Sequence, residues 1–202
     1  MENMNSWEIA GHTLEFYEDG HQYLVDGVCV DSITQMLKVK FGRKYDGISR
    51  DVLQRASAKG TEVHEAIQEL FETGEVADLP EVKNFLFLRR QYGFNVKECE
   101  MPVILHLDDK PIAAGRLDLV LEMGGQIGGA DIKRTSKLDK QYLAYQLNLY
   151  RIAYRQCYGV EWQFLRGIHL RESVRKFVSI PIDEESAWRL VHEYLYILGG
   201  NK

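Results

Sequence analysis

Apolar and polar residues alternate along Thr13–Tyr17, His21–Val25 and Val28–Val30, with Glu18-Asp19-Gly20 and Asp26-Gly27 between the runs. Period-two alternation broken by Asp-Gly predicts short strands joined by tight turns. Asp31 or Ser32 stands where a helix N-cap belongs, and a short helix is expected over Ile33–Leu37. The spacing then becomes helical. Ser49 opens a run with Val52, Leu53 and Ala56; beyond Gly60 it resumes with Val63, Ile67, Leu70 and Phe71 and stops at Gly74. A further helix is predicted over Glu81–Gln91, ended by Gly93.

From Phe94 the period returns to two. Val96–Leu107, Ile112–Glu122 and Ile127–Lys133 read as three consecutive strands, separated by Asp108-Asp109-Lys110-Pro111 and by Gly124-Gly125. Leu138–Tyr158 repeats apolar residues at helical spacing up to Gly159, Trp162–Leu170 and Lys176–Ile180 read as strands, and Asp183 caps a last helix to Leu198. The expected architecture is α/β (or α+β) in a single domain over 1–202. An N-terminal hairpin and short helix fill 1–37, and a sheet core fills 94–182.

With 202 residues, 45% of them hydrophobic, the chain can bury a real core. No run reaches the roughly 18 apolar residues of a membrane span, and Met1–Ala10 lacks a basic start followed by an apolar stretch. A cytoplasmic protein with no membrane partner is the expectation. Cys29, Cys99 and Cys157 are odd in number and form no C-x-x-C pair, which argues against zinc, an iron–sulfur cluster or a disulfide framework. The net charge of −5 argues against a nucleic-acid partner, but its distribution does not. Residues 1–37 carry seven acids and no Lys or Arg, whereas Lys38, Lys40, Arg43, Lys44, Arg50, Arg55 and Lys59 follow within 38–60. Such a cluster suits a phosphate backbone, and equally a solvated face.

The chemistry-bearing stretch is Ala114-Gly115-Arg116-Leu117-Asp118-Leu119-Val120, followed by Asp131-Ile132-Lys133. On a strand Asp131 and Lys133 share one side while Ile132 packs on the other. If the strands carrying Asp118 and Asp131 pair, two carboxylates converge where burial is costly without a cation. Mg²⁺ or Mn²⁺ is the natural neutraliser, with Lys133 close by to position a water. By spacing alone, an ordinary strand pair on a solvated face fits as well.

Five motifs occur in order: Gly60-x-x-x-His64, Glu100 in Glu-Met-Pro-Val, the Ala114–Val120 stretch, Asp131-Ile132-Lys133 and Gln146-x-x-x-Tyr150. Together they resemble the PD-(D/E)XK nuclease superfamily, in particular its RecB-like and phage-type exonuclease branch, over residues 12–158. The resemblance implies a restriction-endonuclease-like core, a central mixed sheet flanked by helices with an N-terminal β-hairpin. It implies that His64, Asp118, Asp131 and the Ile132 carbonyl hold the metal and that Lys133 is the catalytic lysine. It makes Glu100 an acidic position of variable role, for a second metal or for packing, with Glu98 its competitor. Gln146 and Tyr150 match residues that contact DNA or support the site. Arg116, Arg134, Lys40, Arg43 and Lys44 are further candidates for DNA contact. Two departures stand out: Arg134 follows Lys133 where the family commonly has Thr, and the four cysteines of the cluster-bearing relatives are missing, so no iron–sulfur cluster is expected.

The expected activity is metal-dependent hydrolysis of DNA by an exonuclease of phage-type recombination, repair or DNA processing. A recombinase or single-strand-binding protein would be a fitting partner, and an oligomer is compatible. A structure-specific endonuclease and a non-catalytic DNA-binding module are the alternatives. No G-x-x-x-x-G-K-[ST] loop or G-x-G-x-x-G fingerprint points to nucleotide binding.

Overall fold

Asp-Gly turns the chain where the alternation requires it. In the computed structural model, which describes residues 4–42 and 49–200, Asp26 (φ 50°) and Gly27 (φ 77°) are both left-handed. They link β3 (Gln22–Val25) to β4 (Val28–Ser32), and two positive φ values in a two-residue turn suit the twist of a hairpin. The Asp26 carboxylate also accepts from the Thr13 backbone N–H (2.9 Å) and pairs with His12 Nδ1 (2.6 Å), which pins the turn to β2 (His12–Tyr17).

An additional strand, β1 (Met4–Ile9), pairs antiparallel with β2 through Ala10-Gly11. Its polar Asn5, Ser6 and Glu8 hide the alternation because most of this edge strand faces water. The N-terminal hairpin β1–β2 thus extends into a four-stranded meander. Ser32 then caps α1 (Ile33–Met36) with a reciprocal Ser32–Gln35 capping box, and α2 (Lys38–Phe41) follows.

The helical pattern on either side of Gly60 forms one 23-residue helix, α3 (Arg50–Glu72), not two. A side chain at Gly60 would meet nothing within 4 Å, so the position costs only its helix propensity, about 1 kcal/mol. Next come α4 (Pro80–Tyr92), β5 (Phe94–Leu107), β6 (Lys110–Met123) and β7 (Gln126–Lys133). The chain ends with α5 (Lys140–Tyr158), β8 (Phe164–Arg171), β9 (Val174–Ile180) and α6 (Glu184–Gly200).

The architecture is mixed α/β: a nine-stranded mixed sheet ordered β1-β2-β3-β4-β6-β7-β8-β9, with β5 also along β6, flanked by helices. Val63, Ile67, Val82 and Phe85 of α3 and α4 pack on one face with Leu119, Ile132 and Ile168. Leu143, Leu147, Leu190 and Val191 of α5 and α6 cover the other. Leu14, Phe16 and Tyr23 join the meander to Ile104 and Ala114. Gly129 lies under Trp162, where a Cβ would fall 2.0 Å from the ring, so the β7 glycines are there for close packing. Among the described residues, no helix is long and apolar enough to cross a membrane.

Strand β6 has three neighbours but only two edges. β5 runs along one edge from Phe94↔Met123 to Leu107↔Lys110. On the other, β4 pairs in parallel at Ala113 and Ala114, and β7 pairs antiparallel from Leu119 to Met123. Residues 115–118 therefore sit in a fork from which β4 and β7 diverge. The register puts Asp118 in that fork and releases Asp131, Ile132 and Lys133 from β6 onto β8, where they pair with Gly167, Ile168 and His169.

Candidate functional site

The fork leaves one backbone donor without a strand partner, and a side chain takes the place of that partner. The Ile132 N–H, two residues past the last β6–β7 pair, donates to Asp118 Oδ2 (2.7 Å). The Ile132 carbonyl accepts from His64 Nε2 on α3 (3.1 Å). His64 Nδ1 is thereby turned toward the acids, 3.6 Å from Asp118 Oδ2 and 3.7 Å from Glu100 Oε1.

Glu100 reaches this point through a left-handed backbone (φ 50°) inside β5. Cys99 pairs with Leu119 and Met101 with Leu117, so Glu100 lies across the ladder from Asp118. The positive φ breaks the alternation. Cys99 packs with the α3/α4 side, Met101 packs with the α5 side, and Glu98 accepts a hydrogen bond from Tyr154 of α5 (2.7 Å). Glu98 and Glu100, expected on one face, serve opposite sides of the sheet. A non-glycine residue held at positive φ is strained, and such strain clusters at functional sites.

His64, Glu100 and Asp118 present ligand atoms that all lie within 4.8 Å of one another. Asp131 adjoins them but is otherwise engaged: Oδ1 accepts from Gln146 Nε2 (2.8 Å) and Oδ2 pairs with Lys133 Nζ (2.5 Å). Glu100 stands with His64 and Asp118, the Ile132 carbonyl orients the imidazole, and Asp131 anchors the lysine. A metal-binding imidazole commonly donates its second N–H to a carbonyl in this way, which fixes the tautomer.

Burial and mutual charge set the protonation of the group. Burial opposes charge on His64, but the Asp118 and Glu100 carboxylates outweigh it and raise its pKa to about 9. Burial, then the Asp118 charge, lifts Asp131 to about 6, and burial raises Asp118 as well. Lys133 is pulled down by burial and pushed up further by Asp131 and Asp118, so its pKa lies above the ordinary lysine value.

The cluster opens on a cleft of about 790 Å³. Ala56, Ser57, Gly60 and Thr61 line one wall, one to two turns before His64 on α3, and their small size keeps it open. Arg116 projects into the cleft, its guanidinium 4.7 Å from the Phe16 ring centroid and its Nε 3.6 Å from Glu100 Oε2.

Two expected DNA contacts are corrected by their surroundings, and a third keeps its place on the cleft. Gln146 and Tyr150 are each only 4% exposed and cannot meet a macromolecule. Gln146 holds Asp131, and the Tyr150 ring fills the space over Gly115, where a Cβ would lie 3.0 Å from it. Arg134 lines the cleft, but its Nε donates to the buried Glu81 of α4 (2.7 Å). Lys40 is exposed and sits over the Tyr145 ring at 5.2 Å. Arg43 and Lys44 lie outside the described residues.

Sequence reasoning missed Glu18, Thr135 and Tyr142, which also line the cleft. It also missed His169, whose Nε2 donates to the Thr135 carbonyl (2.6 Å). Glu18 sits in the β2–β3 turn, and only the folding of the meander beside α3 brings it here.

No protein-family model and no curated protein matches the chain. Among solved structures, the crystal structure of SSO0001 is similar at 15% identity with a TM-score of 0.47, over 83% of this chain and 76% of that one.

Proposed function

We propose that the protein is a divalent-metal-dependent deoxyribonuclease that hydrolyses phosphodiester bonds from DNA ends, in recombination, repair or DNA processing of the phage type. The observation that supports it is the meeting of His64, Glu100 and Asp118 beside the Asp131–Lys133 pair in an open cleft. One imidazole nitrogen and two carboxylates, partly buried, suit Mg²⁺ or Mn²⁺, and these three residues would hold it with Asp131 adjoining. Such an ion supplies a lowered water pKa and positive charge at the scissile phosphate.

The chain's own residues do the rest. With its pKa raised, Lys133 stays protonated, so it works as a donor to charge that develops on the phosphate and not as a base. Gln146 fixes Asp131, and Asp131 fixes the ammonium. Arg116, held by Phe16 and Glu100, offers a second cation to the bound strand. The small-residue wall of α3 lets a backbone approach the acids. Glu18 brings the N-terminal meander to the cleft. The likeness of the motifs to the RecB-like and phage-type exonuclease branch favours an exonuclease over a structure-specific endonuclease.

Digestion of end-labelled linear DNA and of covalently closed circles with Mg²⁺, Mn²⁺ or EDTA tests the proposal. Linear DNA is expected to be degraded with either metal, neither DNA in EDTA, and closed circles to be spared. No hydrolysis under any condition sinks the nuclease reading; cutting of closed circles sinks the exonuclease assignment.

A further inference from the structure

A second pocket, of about 420 Å³, opens beside the cleft, and Tyr142 lines both. The β2–β3 turn also serves both, with Glu18 on the cleft and Gly20 and His21 on the pocket. Its volume falls within the range of small-ligand sites, roughly 300–1,000 Å³. The linings differ in kind. The cleft is walled by His64, Glu100, Arg116 and Lys133. The pocket is walled by His21, Thr34, Gln35, Phe41 and Tyr142, with Lys38 its one Lys or Arg among the described residues.

Its rings are already organised. Phe41 meets Tyr142 edge-on at 5.3 Å and Tyr145 at 5.7 Å, while Lys40 sits over Tyr145. His21 packs against Phe16 and Tyr23, and burial and Arg116 hold its pKa below the ordinary value, so it adds an uncharged ring. Among the described residues, these walls offer more to a ring than to a phosphate. A flat heteroaromatic group would stack on the rings and meet the Thr34 and Gln35 side chains with its polar edge. Lys38 and Lys40, both exposed on α2, are placed to meet the phosphates that flank it.

We propose that this pocket takes one unpaired nucleobase of the strand being cut, at a fixed distance from the bond held in the cleft. The inference rests on the nuclease reading and deepens it: the substrate at the site is single-stranded, and duplex DNA must open by at least one nucleotide to be cut. A pocket of about 420 Å³ suits a single base, and base–aromatic stacking tolerates any sequence.

The test is an abasic scan. A single-stranded oligonucleotide carries one abasic site, moved one position at a time, and cleavage is followed with Mn²⁺. Wild-type protein is expected to slow by roughly tenfold when the abasic site falls at one fixed offset from the cut bond. In Phe41→Ala that dip should vanish, with intact strand cut at the slow rate that wild type shows at the dip. Phe41→Trp should restore it, which separates ring loss from misfolding. Excess free deoxynucleoside monophosphate should not remove the dip; if it does, the pocket belongs to a free nucleotide and the inference is overturned. A flat scan in active wild-type protein, or a dip that survives in Phe41→Ala, overturns it alone. Protein that binds Mn²⁺ yet neither binds nor cuts any strand overturns the nuclease reading with it.

Discussion

Arg151 and Arg155 on α5 meet Glu161 and Glu184, while His64, Glu100, Asp118, Asp131 and Lys133 meet at the fork beside β6. The first group balances by itself. Arg151 bonds both glutamates and the Trp162 carbonyl, and Arg155 bonds both glutamates again, so two cations and two anions interlock the end of α5 with the start of α6. The second group places three carboxylates against two permanent cations, Lys133 and Arg116. It reaches balance when His64 keeps a proton, and a divalent ion in place of that proton turns the deficit into an excess of one positive charge. The same side-chain chemistry thus makes a clamp in one region and a receptor in the other, and what separates them is the unfilled charge.

The largest expected effect separates the two regions by rate. Lys133→Ala should lower DNA hydrolysis roughly 10²–10⁴-fold, because the charge it meets is greatest in the transition state. Arg151→Met should leave the rate per folded molecule unchanged and shift only the melting midpoint. Equal loss in both variants would erase the distinction.

Next is metal affinity against pH. With the His64 pKa at about 9, a metal ion competes with a proton below that value. Mn²⁺ affinity measured by calorimetry should rise by up to tenfold per pH unit from 7 towards 9, and His64→Gln should bind weakly with a flatter profile. In EDTA the sign reverses. A folded-state pKa raised above the ordinary 6.5 contributes stability that is complete below 6.5 and lost as pH rises through about 9. Thermal melts in EDTA should therefore weaken over that window in wild type and less so in His64→Gln.

The smallest effects carry opposite signs. Burial raises the Asp118 pKa, so its ionised form destabilises the fold at neutral pH. Asp118→Asn keeps an acceptor for the Ile132 N–H and should stabilise the protein in EDTA by about 1 kcal/mol while abolishing cleavage. Glu184→Gln removes a paired charge and should destabilise by about 1 kcal/mol without affecting cleavage. Urea melts that show the same sign for both would mean that the two regions do not differ in charge balance.

Much of this was legible in the chain because it is local. Asp26-Gly27 fixes its turn through backbone sterics, Ser32 and Gln35 cap a helix three residues apart, and Asp131-Ile132-Lys133 alternates faces as a strand must. What was hidden depends on long-range register. The left-handed Glu100 cannot be foreseen from alternation, and it brings the third side chain to the cluster. Gln146 and Tyr150 lie one turn apart on α5, but whether that face meets solvent or the sheet follows only from packing. The Arg134–Glu81 pair joins residues 53 positions apart and leaves no local signal.

The fork in β6 couples folding to chemistry through a single atom pair. Because the Asp118 carboxylate caps the amide of Ile132 where another strand would otherwise lie, Asp118 is architectural whatever its part in the proposed chemistry. Deleting its side chain would strand a donor in the interior. An amide at this position keeps the acceptor, and an alanine does not.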